Sequence, residues 1–181
     1  HIEQGPVLED AKTTIGVVQG ALGQRWFDAV ISGQDAHAGP TPMELRKDAL
    51  IAASRLVLEV NRIALAFPDY ARGTVGSMQV KPNSRNVVPG EVRMSVEFRN
   101  QQDHTLSAMV AALRESLKAI ESECRVAIEL TEVTYFPPCR FDPSMVGAVR
   151  DAAAALGYTR RDIVSGAGHD AVYVARVAPT A

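Results

Sequence analysis

Long hydrophobic runs are missing from this 181-residue sequence; the longest, such as Ala152 to Leu156, fall far short of the roughly 20 apolar residues that a membrane span needs. Charge of one sign is missing too. With 19 basic and 21 acidic side chains, the formal charge is −2 and the pI about 6.1, a field too weak to recruit nucleic acid or an anionic bilayer by itself. Cysteine is scarce: Cys124 and Cys139 cannot build a disulfide framework or a four-thiolate zinc site. No charged-then-apolar leader is present, so a soluble protein in a reducing, cytoplasmic setting is the expectation, with neither nucleic acid nor membrane as partner. What the chain does have is 46% hydrophobic residues, enough to bury a core in a domain of ordinary size. It opens at His1 without a methionine and stops at Val177-Ala178-Pro179-Thr180-Ala181, which reads as the start of a strand, so a piece of a longer protein is expected.

The patterning alternates between two periods. Arg25 to Gly33 is aromatic and β-branched and ends on glycine, the signature of a strand and turn. A helix is expected next, capped by Thr41 with Pro42 in its first turn and Glu44 near the reciprocal capping position. Its apolar stripe is Leu45, Ala49, Ala52, Ala53, Leu56, Val57, Val60 and Ile63, ending near Leu65 before Phe67-Pro68-Asp69. Strands over Ala71 to Val80 and Val92 to Phe98 follow, the second alternating cleanly between Val92, Met94, Val96, Phe98 and Arg93, Ser95, Glu97. A second amphipathic helix, Leu106 to Glu121, and a strand, Val126 to Tyr135, complete the set. Strand, helix, strand, strand, helix, strand is the ferredoxin-like βαββαβ order, an α+β unit with helices on one sheet face. Residues 1–22 and 139–181 read as two parts of one discontinuous domain, with 23–138 inserted between them.

Four stretches carry side chains suited to chemistry. His1-Ile2-Glu3-Gln4-Gly5-Pro6 places a histidine beside a carboxylate and an amide, which fits the rim of a metal site or a solvated loop. His37 is flanked by small residues in Ala36-His37-Ala38-Gly39-Pro40, on a compact turn ahead of the expected helix N-terminus; it can donate to an oxyanion or serve as a turn histidine. Asn86 offers a donor and an acceptor, and Arg99 a planar fork matched to a carboxylate, unless they are a turn former and a surface cation. Ser165-Gly166-Ala167-Gly168-His169-Asp170 is neither a nucleophile elbow nor a phosphate loop, and is read as a wall of a cleft.

Together, His1 to Glu9, Ile15-Gly16-Val17-Val18, Ala36 to Met43 with Arg46 and Asp48, Asn86-Val87-Val88-Pro89-Gly90, Phe98-Arg99 and Ser165 to Ala171 resemble the hydantoinase/carbamoylase family of amidohydrolases, in order and across essentially the whole chain. The resemblance implies a partial α/β metallohydrolase catalytic domain, formed here by 1–22 and 139–181, with a ferredoxin-like lid and dimerisation domain over 23–138. It implies hydrolysis of the carbamoyl C–N bond of N-carbamoyl-L-amino acids, and a homodimer joined through the lid. Two divalent metal ions, zinc foremost, with manganese, cobalt or nickel as alternatives, would activate the water. By the same resemblance His1 is a metal ligand, Gln4 contacts substrate, His37 stabilises the oxyanion, and Asn86 and Arg99 hold the substrate carboxylate. The family's remaining metal ligands and general-base glutamate match nothing in this chain, so the polypeptide alone is expected to be inactive. Allantoate and ureidopropionate remain alternative substrates; Gly39-Pro40 after Ala38 tilts the reading toward carbamoyl-amino acids. An aminoacylase or dipeptidase is the rival enzyme, and a metal-free dimerisation module the rival from another class.

Overall fold

The computed structural model describes residues 2–67 and 69–181. His1 and Pro68 lie outside them, and with His1 the expected metal ligand and with Pro68 part of the expected helix stop. In chain order the elements are α1 (Val7–Asp10), β1 (Ile15–Ala21), β2 (Gly23–Ser32), β3 (Ala36–His37), a 3₁₀ turn (Met43–Leu45), α2 (Ala49–Ala66), β4 (Arg72–Lys81), β5 (Val87–Val88), β6 (Glu91–Asn100), α3 (Asp103–Cys124), β7 (Ala127–Phe136), β8 (Cys139–Arg140), α4 (Pro143–Ala155), β9 (Arg160–Ser165) and α5 (Asp170–Val174). They divide into two compact units. One comprises the described residues of His1–Gly23, Gln101–Asp103 and Pro137–Ala181; the other those of Gln24–Asn100 and His104–Phe136.

The second unit is the ferredoxin-like α+β domain that the pattern predicts. Its sheet runs β4-β6-β2-β7, so the first and third of its strands lie at the centre and the second and fourth at the edges. β4 and β6 are antiparallel from Arg72↔Arg99 to Lys81↔Glu91, and β2 and β7 from Gln24↔Phe136 to Ser32↔Ala127, each pair with one bulge. The period-2 reading of β6 holds: Val92, Met94, Val96 and Phe98 are buried with Phe27, Ala29 and Ile31 of β2. Against them α2 buries Ala49, Ala52, Ala53, Leu56, Val60 and Ile63, and α3 buries Leu106, Met109, Val110, Leu113, Leu117 and Ile120. Truncating a ring as enclosed as Phe27 or Phe98 costs about 3–5 kcal/mol. On its outer side α2 leaves Ile51, Leu58 and Leu65 exposed at seven-residue spacing, an apolar stripe on the helix that packs over β4 and β6.

The first unit holds a three-stranded sheet ordered β8-β1-β9, with β1 and β9 parallel and β8 antiparallel to β1. Val17, Phe141 and Val146 form its small core. The terminal segment expected to begin a strand does not: the Val177 and Ala178 amides donate to the Val174 carbonyl at 2.9 and 3.0 Å, which winds the chain on from α5. Among the described residues no helix is long and apolar enough to cross a membrane.

The start of α2 also differs from expectation. Pro42 is extended (ψ 150°) and makes no side-chain cap, Met43–Leu45 form only a 3₁₀ turn, and Arg46 returns to an extended conformation (ψ 142°). The cap is Asp48, whose Oδ1 accepts from the Leu50 and Ile51 amides at 2.9 and 3.2 Å. A carboxylate accepting from two amides is a stronger cap than a hydroxyl whose following turn breaks after three residues. Asp48→Ala is accordingly expected to cost about 1 kcal/mol in chemical denaturation while Thr41→Ala is near neutral; the reverse ranking would restore Thr41 as the cap.

Candidate functional site

At the end of β2 the Gly33 amide donates to the Gly90 carbonyl at 2.8 Å, and the Gly90 amide donates to Asp35 Oδ1 at 2.7 Å. The approach is close enough that a Cβ at residue 90 would lie 2.6 Å from the Asp35 nitrogen, so glycine is required there. This junction fuses the end of β2 to the start of β6. The chains flanking it leave the sheet as a two-stranded ribbon, in which Ala36 pairs with Val88 and His37 with Val87, and the Ala38 amide donates to the Asn86 carbonyl at 2.8 Å. His37 and Asn86, 49 residues apart in sequence, are thereby neighbours.

Both present free donors. The Gly39 amide donates to His37 Nδ1 at 3.1 Å, so the neutral ring carries its proton on Nε2, which has no partner among the described residues. Asn86 Oδ1 accepts from Ser84 Oγ at 2.9 Å, which directs the amide group's Nδ2 donors outward, also without a partner among the described residues. Both residues are exposed. The helix-dipole argument for His37 does not hold, however. The first amides of α2 are taken up by Asp48 and, for Ala49, by the Pro89 carbonyl at 3.0 Å, twelve residues beyond His37.

Arg99 lies elsewhere. It is on the wet face of β6, half-buried, with its Nε hydrogen-bonded to Glu97 and Arg72 directly across from it on β4. Eight residues separate it from Glu91 at the strand's start, which at ~3.3 Å each is about 26 Å. One chain therefore brings His37 and Asn86 together at one end of the sheet and holds Arg99 at the other. Gln4 belongs to the first unit and is exposed on the turn before α1. Its neighbour Glu3 fixes that turn by accepting from the Val7 and Leu8 amides at 3.2 and 2.8 Å, a role the sequence does not announce, because the capping position is the residue directly before the helix, here Pro6. His169 packs edge-on against Phe141 with ring centroids 5.7 Å apart.

His1 is outside the described residues, and among those described no three His, Cys, Asp or Glu side chains gather closely enough to hold a metal ion. The described residues thus do not by themselves fit the two-metal centre that the family resemblance implies. The Peptidase dimerisation domain family matches residues 20–123. An N-carbamoyl-L-amino-acid amidohydrolase of Paenarthrobacter aurescens is 41% identical over 177 residues, 98% of this chain and 43% of the relative. An allantoate amidohydrolase of Bacillus subtilis is 34% identical over 99% of this chain and 43% of its own length. A crystal structure of a hydantoinase/carbamoylase family amidase from Burkholderia multivorans superposes with a TM-score of 0.97 at 54% identity, covering 99% of this chain and 44% of that one. The chain belongs to the hydantoinase/carbamoylase family, through its peptidase dimerisation domain. Like its family relatives it is therefore mixed α and β, and it spans under half the length of those proteins.

Beside the junction, Glu91 accepts from Arg93 Nε at 2.8 Å and sits 3.0 Å from Lys81 Nζ, and these cations, Arg93 foremost, lower its carboxyl from an ordinary 4.5 to about 2. A depressed folded-state value contributes stability that is present above pH 4.5 and is lost as the pH falls toward 2. A carboxyl titration by NMR is expected to find the Glu91 midpoint near 2 and to see it rise in Arg93→Ala. An ordinary midpoint in the unmodified protein would show that the triad does not persist in solution.

Proposed function

We propose that the whole protein is an amidohydrolase acting on the carbamoyl C–N bond of N-carbamoyl-L-amino acids, and that this chain supplies an oxyanion donor, His37, and a carboxylate clamp, Asn86 and Arg99. The observation that carries the reading is the pair of outward, unpartnered donors, His37 Nε2–H and the Asn86 amide, on one ribbon. When water adds to a ureido carbonyl, negative charge collects on the oxygen, and a fixed donor already aimed outward stabilises it without reorganisation. Arg99 supplies a guanidinium fork for the α-carboxylate, favouring amino-acid derivatives over simple amides. Gln4 is assigned to substrate contact on the motif alone, and His1 to metal ligation on the same ground. The two divalent metals implied by the family find no ligand set among the described residues, so what those residues supply is binding and charge stabilisation, with His1 left as the metal ligand. Allantoate is the second substrate reading, favoured by the 34% identical relative of that name.

The length of β6, roughly 26 Å from Glu91 to Arg99, makes the assembly part of the reading. A ureido-acid is a few ångströms long, so His37 and Arg99 of one chain cannot hold the same molecule. A homodimer in which one chain's ribbon meets the other chain's Arg99 resolves this. The matched domain's description as a peptidase dimerisation domain, the exposed edge strand β4 and the apolar stripe Ile51, Leu58 and Leu65 on the helix above it support such a dimer.

In the whole protein, His37→Ala is expected to lower kcat roughly 100- to 1,000-fold, and Arg99→Ala to raise KM for carboxylate substrates by at least about tenfold. Co-refolding the two variants is the sharper experiment. Half the dimers would be mixed, each with one intact site of two, restoring about a quarter of wild-type activity. No recovery would place both residues in one chain's site and refute the shared arrangement.

A further inference from the structure

Arg46 is a half-buried cation to which no described carboxylate is paired. Its guanidinium is instead given to main-chain carbonyls: Nη2 donates to Ala38 O at 2.7 Å and Nε to Thr41 O at 3.1 Å. Ala38 and Thr41 bracket the turn whose Gly39 amide donates to His37 Nδ1, and the Thr41 amide closes it by donating to the His37 carbonyl at 3.3 Å. Arg46 is itself held, since its own carbonyl accepts from Arg125 Nη2 at 2.8 Å and its neighbour Lys47 accepts from the Gln34 amide at 2.9 Å. A planar fork reaching two carbonyls three residues apart fixes the peptide planes between them, which a single-point ammonium cannot do.

We propose that Arg46 is a positioning residue for His37: by clamping the 38–41 turn it keeps the Gly39 amide on Nδ1 and the ring's proton on the outward Nε2. If the turn relaxed, Nδ1 would lose its donor, the ring would divide between its two tautomers, and in one of them Nε2 would face the substrate as an acceptor. An acceptor aimed at a developing oxyanion repels it. This inference rests on the reading of His37 as the oxyanion donor for its effect on rate, but not for its effect on the tautomer.

The test is a double-mutant cycle in the whole protein, read together with imidazole nitrogen shifts of histidine-labelled protein. Arg46→Ala is expected to lower kcat several-fold, through the smaller Nε2-protonated fraction and the released turn together, with KM within twofold, and to leave kcat unchanged in a His37→Ala background. A loss of the same factor in both backgrounds would overturn the inference, because Arg46 would then act other than through His37. The nitrogen shifts are expected to show Nδ1 unprotonated in the wild type and both tautomers in Arg46→Ala, with His37 assigned by its absence from His37→Ala. Should His37→Ala leave kcat unchanged, the donor reading fails and the shifts alone decide; an unaltered tautomer in Arg46→Ala would overturn the positioning role. If Arg46→Ala does not fold, Arg46→Lys, which keeps the charge and loses the fork, carries the same measurements.

Discussion

The reciprocal pair of hydrogen bonds between Gly33, Asp35 and Gly90 governs where the candidate site stands. Strands at the centre of a sheet end wherever their ladders stop, and the chains that leave them ordinarily diverge as mobile loops. Here the end of β2 and the start of β6 are tied main chain to main chain, with a carboxylate taking up the one amide left over. The tie lets two segments far apart in sequence continue side by side as β3 and β5 and carry His37 and Asn86 out together. Without the tie, the position of both donors relative to the sheet would rest on the short ribbon's own pairing alone. The close approach also explains why Gly90 tolerates no side chain, and why the carbonyl before it, Pro89, is free to take the first amide of α2. One junction thus orders the ribbon and the helix start at once.

The parts of this fold legible in the sequence are those with long-range periodicity. β6 reads without ambiguity because Val92 to Phe98 alternate between a buried core and a wet face, and α3 because Leu106 to Ile120 recur on one stripe. β1 and β9 are hard to read for a physical reason. They pair parallel with each other, and β9 opens Arg160-Arg161-Asp162, charges that are accommodated by neighbours rather than by water alone, as where Asp162 accepts from Gln19 Nε2 at 2.8 Å and pairs with Arg150. The ribbon is shorter still. Two residues in each strand carry no period, so nothing in Ala36-His37 or Val87-Val88 announces that they pair.

The misplaced start of α2 shares that origin. Thr41-Pro42 has the composition of a helix start, and Asp48 is a cap only if the five residues between do something else. They do: Arg46 is extended so that its side chain can return to the Ala38 and Thr41 carbonyls. Local propensity was overridden by a contact eight residues back that has no signature in periodicity or composition. The same holds for the candidate site as a whole. His37, Asn86 and Arg99 are each recognisable as residue types suited to the chemistry, yet which of them are neighbours is a matter of register.

Register also bears on the proposed assembly. A strand of ten residues has a fixed length, so the His37 ribbon at one end and Arg99 at the other are separated by a distance that no side chain can span. Loop motion would shift the ribbon by a few ångströms; it cannot fold a hydrogen-bonded central strand in half. If both groups act on one small substrate, the second must come from another copy, and a two-fold interface supplies it twice over at no extra cost in sequence. On the proposed arrangement, substrate binding and oligomerisation would be one linked equilibrium: whatever fills the site would hold two chains together, and whatever separates the chains would empty both sites. In such a protein the polar face and edge of the sheet are as much part of the active centre as the donors themselves.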